Sequence, residues 1–312
     1  MSRLHRSVDQ YLALRRAMGY KLEGEARLLA QFVDFADAAG ISTITTEVAL
    51  KWATLPPEGS TGWFARRLRV VRGLARHLQA SDPATQVPPA DLLPNRTSHR
   101  HKPYLYSDAD ILSLLAAART LASPLRAATF ETLIGLLSVT GLRISEAMAL
   151  NRADIDWANG QLAINDTKFG KSRLVPVHPS TIDALRSYAQ RRDRLGVHPS
   201  DSFFVSTRGA RLRHSTIYPA FHQLLAQTGL EHDYSPCPRL HDFRHSFAVK
   251  TLLGWYREGV DVAAHMPLLS TYLGHVNPAS TYWYLSAAPE LLALAAKYLE
   301  DTELEDDEGA QS

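Results

Sequence analysis

Residues 154–177 read Asp-Ile-Asp-Trp-Ala-Asn-Gly-Gln-Leu-Ala-Ile-Asn-Asp-Thr-Lys-Phe-Gly-Lys-Ser-Arg-Leu-Val-Pro-Val. Here the spacing of apolar residues changes from a helical period to the two-residue period of a strand. Alternating runs at 154–157, 161–164 and 173–177 are typical of short strands, and Asn159-Gly160 is a favoured hairpin turn. The pattern on both sides of this stretch is helical. The sequence therefore predicts a mainly α fold with a small antiparallel β-sheet.

A proline-rich segment divides the chain. Residues 81–103 contain five prolines, which break helices and stiffen a chain, and the second half of the segment is basic. We therefore predict a helical domain at 1–80, a linker at 81–103, an α+β domain at 104–300 and a disordered acidic tail at 301–312. The helical patterns fall at about 5–19, 23–39, 46–54, 61–79, 107–118, 124–138, 180–194, 214–228, 240–254, 261–273, 278–284 and 289–300, and a further helix begins near 144.

The composition excludes several classes of protein. The chain has 312 residues, of which 45% are hydrophobic and 21% charged, as is typical of folded globular proteins. Its single cysteine, Cys237, cannot form an internal disulfide. Neither an apolar leader nor a run of the roughly 20 apolar residues that span a bilayer is visible. We expect a soluble, cytoplasmic protein with no membrane partner.

The net charge of +2 hides a basic first part of the chain. Residues 1–103 carry 15 Lys and Arg against 9 Asp and Glu, residues 104–300 carry 19 against 17, and residues 301–312 carry none against 6. A basic region of this kind is typical of proteins that bind a polyanion such as DNA.

Five basic residues of this first part are candidates for DNA contact. Three arginines share one face of the helix predicted at 61–79, and no acidic residue occurs between 62 and 80. The basic half of the linker adds two more, and both groups have a plainer interpretation as solvated surface. The candidates are Arg69, Arg72, Arg76, Arg100 and Lys102.

Two basic boxes of the second domain suggest chemistry on a phosphate. In Thr140-Gly-Leu-Arg-Ile-Ser-Glu-Ala147, Arg143 and Glu146 are three residues apart and share a helix face, so the carboxylate can orient the guanidinium. In Leu240-His-Asp-Phe-Arg-His245, His241 and Arg244 have the same spacing, and this pair suits a phosphate diester.

Each box also has another interpretation. Arg143 and Glu146 can form a local ion pair of little consequence. In the second box, His241 and His245 have the i, i+4 spacing of metal ligands, and Asp242 follows the first histidine as glutamate does in H-E-x-x-H. Aspartate is one methylene shorter than that general base.

Two further boxes complete an ordered set. Leu273-Gly-His275 is followed nine residues later by Tyr284, within the aromatic run Ser280-Thr-Tyr-Trp-Tyr-Leu285. An aromatic run alone most often packs in a core. Together with Arg143 and the His-x-x-Arg box, however, this order and spacing resemble the tyrosine recombinase (phage integrase-type) family, which includes Xer-type recombinases. The resemblance extends over about 107–298 and, more loosely, over the first domain.

The resemblance implies a role for each matching residue. Arg143 and Arg244 would hold the phosphate, and Glu146 would brace the first of them. His241 would be the base, and Lys168, on a β-hairpin, the general acid. His275 would be a phosphate ligand and Tyr284 the nucleophile. Lys171 and Arg173 are expected to contact DNA; Lys171 is also the alternative acid, and Tyr282 the alternative nucleophile.

These roles have a chemical reason. The transition state of phosphodiester cleavage gains negative charge on the non-bridging oxygens, and two guanidinium groups can hold it without a metal ion. Acidic residues are too sparse around the boxes for a convincing two-metal site, so we expect neither a metal nor another cofactor. A free phenol has a pKa near 10 and needs a base or neighbouring cations to react. Attack by a tyrosine conserves the bond energy as a 3′-phosphotyrosine.

The resemblance further implies a two-domain clamp around double-stranded DNA, in which a helical core-binding domain joins an α+β catalytic domain. It implies site-specific recombination for integration, excision, transposition or replicon resolution, by a homo-oligomer, a tetramer on DNA, with or without partner recombinases. The amphipathic pattern at 289–300 is expected to dock on a neighbouring protomer or on its own domain. Two alternatives stay open: a type IB topoisomerase-like enzyme that nicks and reseals, and a DNA-binding regulator without catalysis.

Overall fold

The computed structural model describes residues 2–56, 58–93, 103–165, 172–195, 201–231, 237–275, 277 and 281–284. The chain divides into two compact units, Met1–Arg100 and His101–Ser312, and each has its own hydrophobic core. The domain boundaries at 80 and 103 bracket this division and stay predictions. No helix in the described ranges combines the length and apolarity needed to cross a bilayer.

Four helices form the first unit. Three of them start at a Ser or Thr whose side chain accepts a hydrogen bond from a backbone N–H of the first turn, and these caps are Ser2, Thr45 and Ser60. Leu68 and Val71 of the fourth helix lie buried with Phe32 and Trp52 in the core. The helices are α1 (Arg3–Ala17), α2 (Glu23–Ala38), α3 (Thr46–Thr54) and α4 (Thr61–Gln79).

The first half of the predicted linker packs against these helices. The backbone N–H of Gln86 donates to the carbonyl of Ile44 (2.8 Å), and Val87 and Leu93 contact the core of the unit. Arg72 donates from Nε to the carbonyl of Pro88 (2.9 Å). Residues 81–93 therefore pack on the first unit through apolar side chains and hydrogen bonds, and the bounds of the linker stay a prediction.

The second unit is built around one helix that is buried on nearly all sides. Ten of the 17 residues of α6 are buried, as is typical of a helix that is apolar around its whole circumference. It contacts α5, α8 and α10. The helices of this unit are α5 (Asp108–Arg119), α6 (Pro124–Thr140), α7 (Ile144–Ala149), α8 (Pro179–Arg194), α9 (His214–Gln227), α10 (Asp242–Arg257) and α11 (Val262–Leu273).

A three-stranded antiparallel sheet interrupts the helices, in the order β1 (Ile155–Asp156), β2 (Gln161–Ile164) and β3 (Arg173–Pro176). Gly160 takes a left-handed φ of +64° in the β1–β2 turn, which the Asn-Gly signal predicts. Leu162 pairs with Val175, and Ile164 pairs with Arg173. The prediction of a mainly α fold with a small antiparallel sheet is confirmed. Of the last two predicted helices, residues 281–284 are helical, and 289–300 lie outside the described residues.

Candidate active site

The C-terminal ends of two helices supply hydrogen-bond acceptors to the site. α6 ends before Gly141 (φ +60°) and α11 ends before Gly274 (φ +69°), and both glycines adopt the left-handed conformation that closes a helix. The last carbonyl groups of a helix have no partner within it and carry the negative end of the helix dipole. Two helix ends of this kind form a natural environment for guanidinium groups.

Arg244, on the first turn of α10, joins these two helix ends. Its Nη1 donates to the carbonyl of Gly141 (3.0 Å) and its Nη2 to the carbonyl of Leu273 (2.7 Å), and the residue is only 1% exposed. Burial and repulsion from Arg143 lower the pKa of Arg244 to about 10, so the group is still charged at neutral pH. Within the described residues no carboxylate forms an ion pair with it. A buried cation whose direct partners are carbonyl groups, with no carboxylate paired to it, favours an anionic ligand.

Arg143 lies at the start of α7 and points toward the same place. Its Nη1 donates to Glu146 Oε1 (2.7 Å), its Nη2 to the carbonyl of Gly274 (3.0 Å), and its backbone N–H to Glu146 Oε2 (3.0 Å). About a third of the side chain (32%) is exposed. The three-residue spacing read from the sequence thus lets Glu146 accept from both the backbone and the side chain of Arg143, and the guanidinium keeps an accessible edge.

Glu146 is held from a second side by Arg173, the first residue of β3. Arg173 Nη1 and Nη2 lie 3.1 and 2.9 Å from Oε1 and Oε2 of Glu146, and its Nε donates to the carbonyl of Tyr272 (2.8 Å). Burial acts to raise the pKa of Glu146, but hydrogen bonds and charges from Arg173 and Arg143 outweigh it, and the net pKa lies below its ordinary value. The carboxylate is therefore ionised and shared between two guanidinium groups.

The two site histidines, His241 and His275, lie beside the arginines. Desolvation and repulsion from Arg244 lower the pKa of His241 to about 4 and that of His275 to about 3. His241 is itself solvent-exposed, so repulsion by the arginines is the firmer cause there. His275 Nδ1 lies 2.7 Å from Thr281 Oγ1, which fixes its ring. Both imidazoles are neutral at neutral pH, and each can exchange a single proton.

Tyr284 faces the arginines and histidines of the site, whereas Tyr282 does not. Tyr284 is 2% exposed, its ring centroid lies 5.4 Å from that of His245 and 6.0 Å from that of His275, and its charge would interact with Arg244. Tyr282 is 50% exposed. Residues 281–284 are helical, and two positions on a helix point about 200° apart, which explains why the tyrosines diverge.

The arrangement does not favour the metal interpretation of the second box. Asp242 is occupied by Arg239, whose backbone N–H and Nη2 donate to its two carboxylate oxygens at 2.8 and 3.0 Å. Among the described residues, the three groups close enough to share an ion are those of His222, Glu231 and Cys237, and none of these belongs to either box.

The remaining candidates differ in how far the structure describes them. Arg69 and Arg76 are exposed on α4, while Arg72 is partly buried and bonded to Pro88. The prediction that Arg173 contacts DNA does not match its surroundings, because its side chain is 11% exposed and its guanidinium donates to Glu146 and Tyr272. Four candidates lie outside the described residues: Arg100, Lys102, Lys168 and Lys171.

Sequence reasoning missed two residues that position the site. Thr281 holds the ring of His275, and His245 packs at 4.8 Å from the ring of His241 as well as against Tyr284. The i, i+4 spacing of the two histidines did signal that they share a helix face. Nothing in the local sequence marks Thr281, because its partner is a histidine across a turn.

A comparison of sequences finds clear similarity. Residues 105–290 match the sequence model of the phage integrase family. The chain is 45% identical over 308 residues to a putative integrase/recombinase of Sinorhizobium fredii, covering 96% of this chain and 98% of that protein. It is 29% identical over 227 residues to the tyrosine recombinase XerC of Chlamydia trachomatis, covering 72% of this chain and 67% of that protein.

Solved structures share the fold. The Tn1549 transposon integrase in complex with transposon right-end DNA matches with a TM-score of 0.65 at 16% identity, over 95% of this chain and 98% of that one. The XerH site-specific recombinase bound to palindromic difH substrate matches with a TM-score of 0.62 at 19% identity, over 88% of this chain and 78% of that one.

Proposed function

The chain belongs to the phage integrase family, and on that premise we propose that it is a site-specific recombinase that cleaves and rejoins DNA through a 3′-phosphotyrosyl intermediate on Tyr284. The observation that carries this proposal is the buried, charged guanidinium of Arg244 beside a buried tyrosine. A buried charge of this kind is rare in folded proteins unless a carboxylate or a bound anion neutralises it.

The two arginines would receive the scissile phosphate. Arg244 uses Nη1 and Nη2 for carbonyl oxygens and Arg143 uses the same two atoms for Glu146 and Gly274, yet each guanidinium has five N–H groups. The donors that remain can bind non-bridging oxygens. Because the groups are held before substrate arrives, they stabilise the charge of the transition state at little cost of reorganisation.

Removal of the proton from the nucleophile is assigned to a neutral imidazole. His241 has a pKa of about 4 in the free protein, and a bound phosphate would raise it, so it can accept the proton of the Tyr284 hydroxyl as the bond to phosphorus forms. His275, held by Thr281, would donate a hydrogen bond to a non-bridging oxygen. The electron pair of the broken P–O bond leaves with the 5′ oxygen, which then needs a proton.

Lys168 is the proposed donor of that proton, with Lys171 as the alternative. Both lie in the connection between β2 and β3, outside the described residues, and β3 itself begins at Arg173, which contacts Glu146. An ammonium group is a suitable acid for an alkoxide leaving group.

We propose that this chemistry needs no metal ion or other cofactor. The proposal rests on the two guanidinium groups, which can supply the positive charge that metal ions supply in many nucleases. Complete cleavage in the presence of EDTA is the expected result, and restoration of activity by added Mg²⁺ after chelation would contradict it.

Strand exchange requires four strands to be cut and rejoined, so we propose that four protomers assemble on two DNA sites in the bacterial nucleoid. Light scattering of the full chain with its DNA site should report four protomers per two duplexes. Efficient relaxation of supercoiled DNA by the monomer would favour the topoisomerase-like alternative.

The central experiment compares Y284F with Y282F. DNA fragments trapped covalently on the wild-type chain are sequenced first, and the site found is rebuilt as a nicked suicide duplex. Y284F should bind this duplex with unchanged affinity and form no covalent adduct, whereas Y282F, altered at an exposed position two residues away, should form it. An adduct that persists in Y284F would move the nucleophile elsewhere, and no adduct with the wild type would leave only a DNA-binding protein.

A further inference from the structure

We propose that Arg173 is a positioning residue of the active site, which holds Glu146 so that Arg143 presents its free edge to the scissile phosphate. The inference rests on the proposed function and adds a residue that acts through two others. It also replaces the prediction that Arg173 is a DNA contact.

The contact geometry supports this role. Both carboxylate oxygens of Glu146 are taken by Arg173, at 2.9 and 3.1 Å, and the same oxygens accept from Arg143 at 3.0 and 2.7 Å. A carboxylate held by the planar fork of Arg173 on one side, and by the backbone N–H and Nη1 of Arg143 on the other, has one orientation that satisfies all four contacts. Without the fork of Arg173, Glu146 is held from one side only, and the guanidinium of Arg143 can shift with it.

Burial separates this arrangement from an ordinary surface ion pair. The side chains of Glu146 and Arg173 are 6% and 11% exposed, whereas that of Arg143 is 32% exposed. Such pairs are screened little by solvent and are costly to break. Only the arginine that faces the substrate keeps an open edge.

Arg173 also connects parts of the chain that the proposed reaction uses together. Its Nε donates to the carbonyl of Tyr272 at the end of α11, and it opens the strand that follows the connection containing Lys168. Gly274 packs so closely against it that a Cβ there would lie 2.7 Å from Arg173 Nη1. The guanidinium therefore fits a space in which no other side chain would make the same three contacts.

The test uses R173K and R173Q, with R152Q as the matched control. Arg152 also forms a two-pronged pair, with Asp193 at 2.6 and 3.2 Å, but on an exposed surface of the same unit. Lysine keeps the charge of Arg173 without the fork. We measure the single-turnover rate of adduct formation on the nicked duplex, the Kd for that duplex, and the salt dependence of Kd.

A positioning role predicts slower chemistry with unchanged binding. R173K should slow adduct formation at least about tenfold and R173Q about a hundredfold, since a misplacement of about 1 Å can cost this much. Kd and its salt dependence should stay at the wild-type values in both, and R152Q should resemble the wild type throughout. In the double variant R173Q/E146Q the rate should be no lower than in the slower single variant, because both changes disable the same support.

Several results would overturn the inference. R173K with a wild-type rate would show that the fork is unnecessary. A weaker Kd for R173Q, with a salt slope reduced by about 0.9, would instead make Arg173 a phosphate contact. Additive losses in the double variant would mean that Arg173 does not act through Glu146. The two results that compare rates presuppose an adduct with the wild type, whose absence would count against the proposed function itself.

Discussion

Replacing Arg244 with methionine should stop cleavage while leaving the second unit almost as stable as before. A pKa of about 10, against an ordinary value of 12.5, means that the charged group is roughly 3 kcal/mol less stable in the folded site than in water. R244M removes this cost and fills a similar volume. It also leaves the carbonyls of Gly141 and Leu273 without a donor, at about 1–3 kcal/mol each. The opposing effects leave an expected net loss of about 1 kcal/mol.

Arg192 provides the matched control. It too is 1% exposed and donates to a carbonyl, that of Phe203 (2.6 Å), but its Nε is paired with the carboxylate of Asp193 (3.0 Å). R192M therefore breaks a partly buried ion pair, and we expect it to cost about 2–4 kcal/mol. Cleavage should be unaffected, because Arg192 lies on α8 and touches none of the site residues.

Stability is measured by the denaturant dependence of hydrogen exchange in α6 and α10, which reports the second unit without interference from the first. Cleavage is measured as single-turnover adduct formation. R244M should react at least about 100-fold more slowly than the wild type. If R244M lost as much stability as R192M, the buried charge of Arg244 would not be costly. If R244M cleaved within tenfold of the wild-type rate, the proposed contact between Arg244 and the phosphate would be refuted.

Three other predictions follow from the structure. The folded-state pKa values of the two site histidines, about 4 and about 3, lie below the 6.5 of an unfolded histidine, so the unfolded chain binds more protons at mildly acidic pH. Lowering the pH from about 7.5 to 5.5 should therefore reduce the stability of the second unit by about 1–2 kcal/mol, allowing for partial exposure, and glutamine at both positions should remove most of this dependence. R69Q/R76Q should reduce the salt slope of DNA binding by about 1.8, and an unchanged slope would mean that this exposed face of α4 only meets solvent. G274A and G259A share a left-handed φ near +70°, but only at Gly274 would the new methyl group meet a guanidinium. Both should therefore lose about 1 kcal/mol of stability, G274A alone should cleave more slowly, and equal rates would show that this contact is unimportant.

Local patterns were sufficient for much of the secondary structure. The bounds of α3 and α4 agree with the helical periodicity at 46–54 and 61–79, because each has an apolar stripe and a Ser or Thr cap. The Asn159-Gly160 turn and its flanking strands also follow from local rules. The proline-rich segment was harder, since prolines indicate the absence of a helix but not whether Val87 and Leu93 find a core to pack on.

The candidate site could be proposed only as a set of residues from the sequence. Arg143 and Glu146 are close in the chain, so their pairing is a local consequence of helix geometry. The partners of Arg244 lie 103 and 29 residues away, and Arg173 is 27 residues from Glu146. No local signal distinguishes an arginine that will face DNA from one that will face a buried carboxylate.

Periodicity, caps and ordered motifs are properties of neighbouring residues, so they suffice to predict the type and order of the elements and the residues able to hold a phosphate. Which of these side chains meet depends on how the elements pack. Packing of α6, α11 and β3 brings two helix ends and a strand to one place, buries Arg244 without a carboxylate, and turns Arg173 inward onto Glu146. Burial and long-range pairing depend on how whole elements pack, and this is the physical reason that the sequence leaves them open.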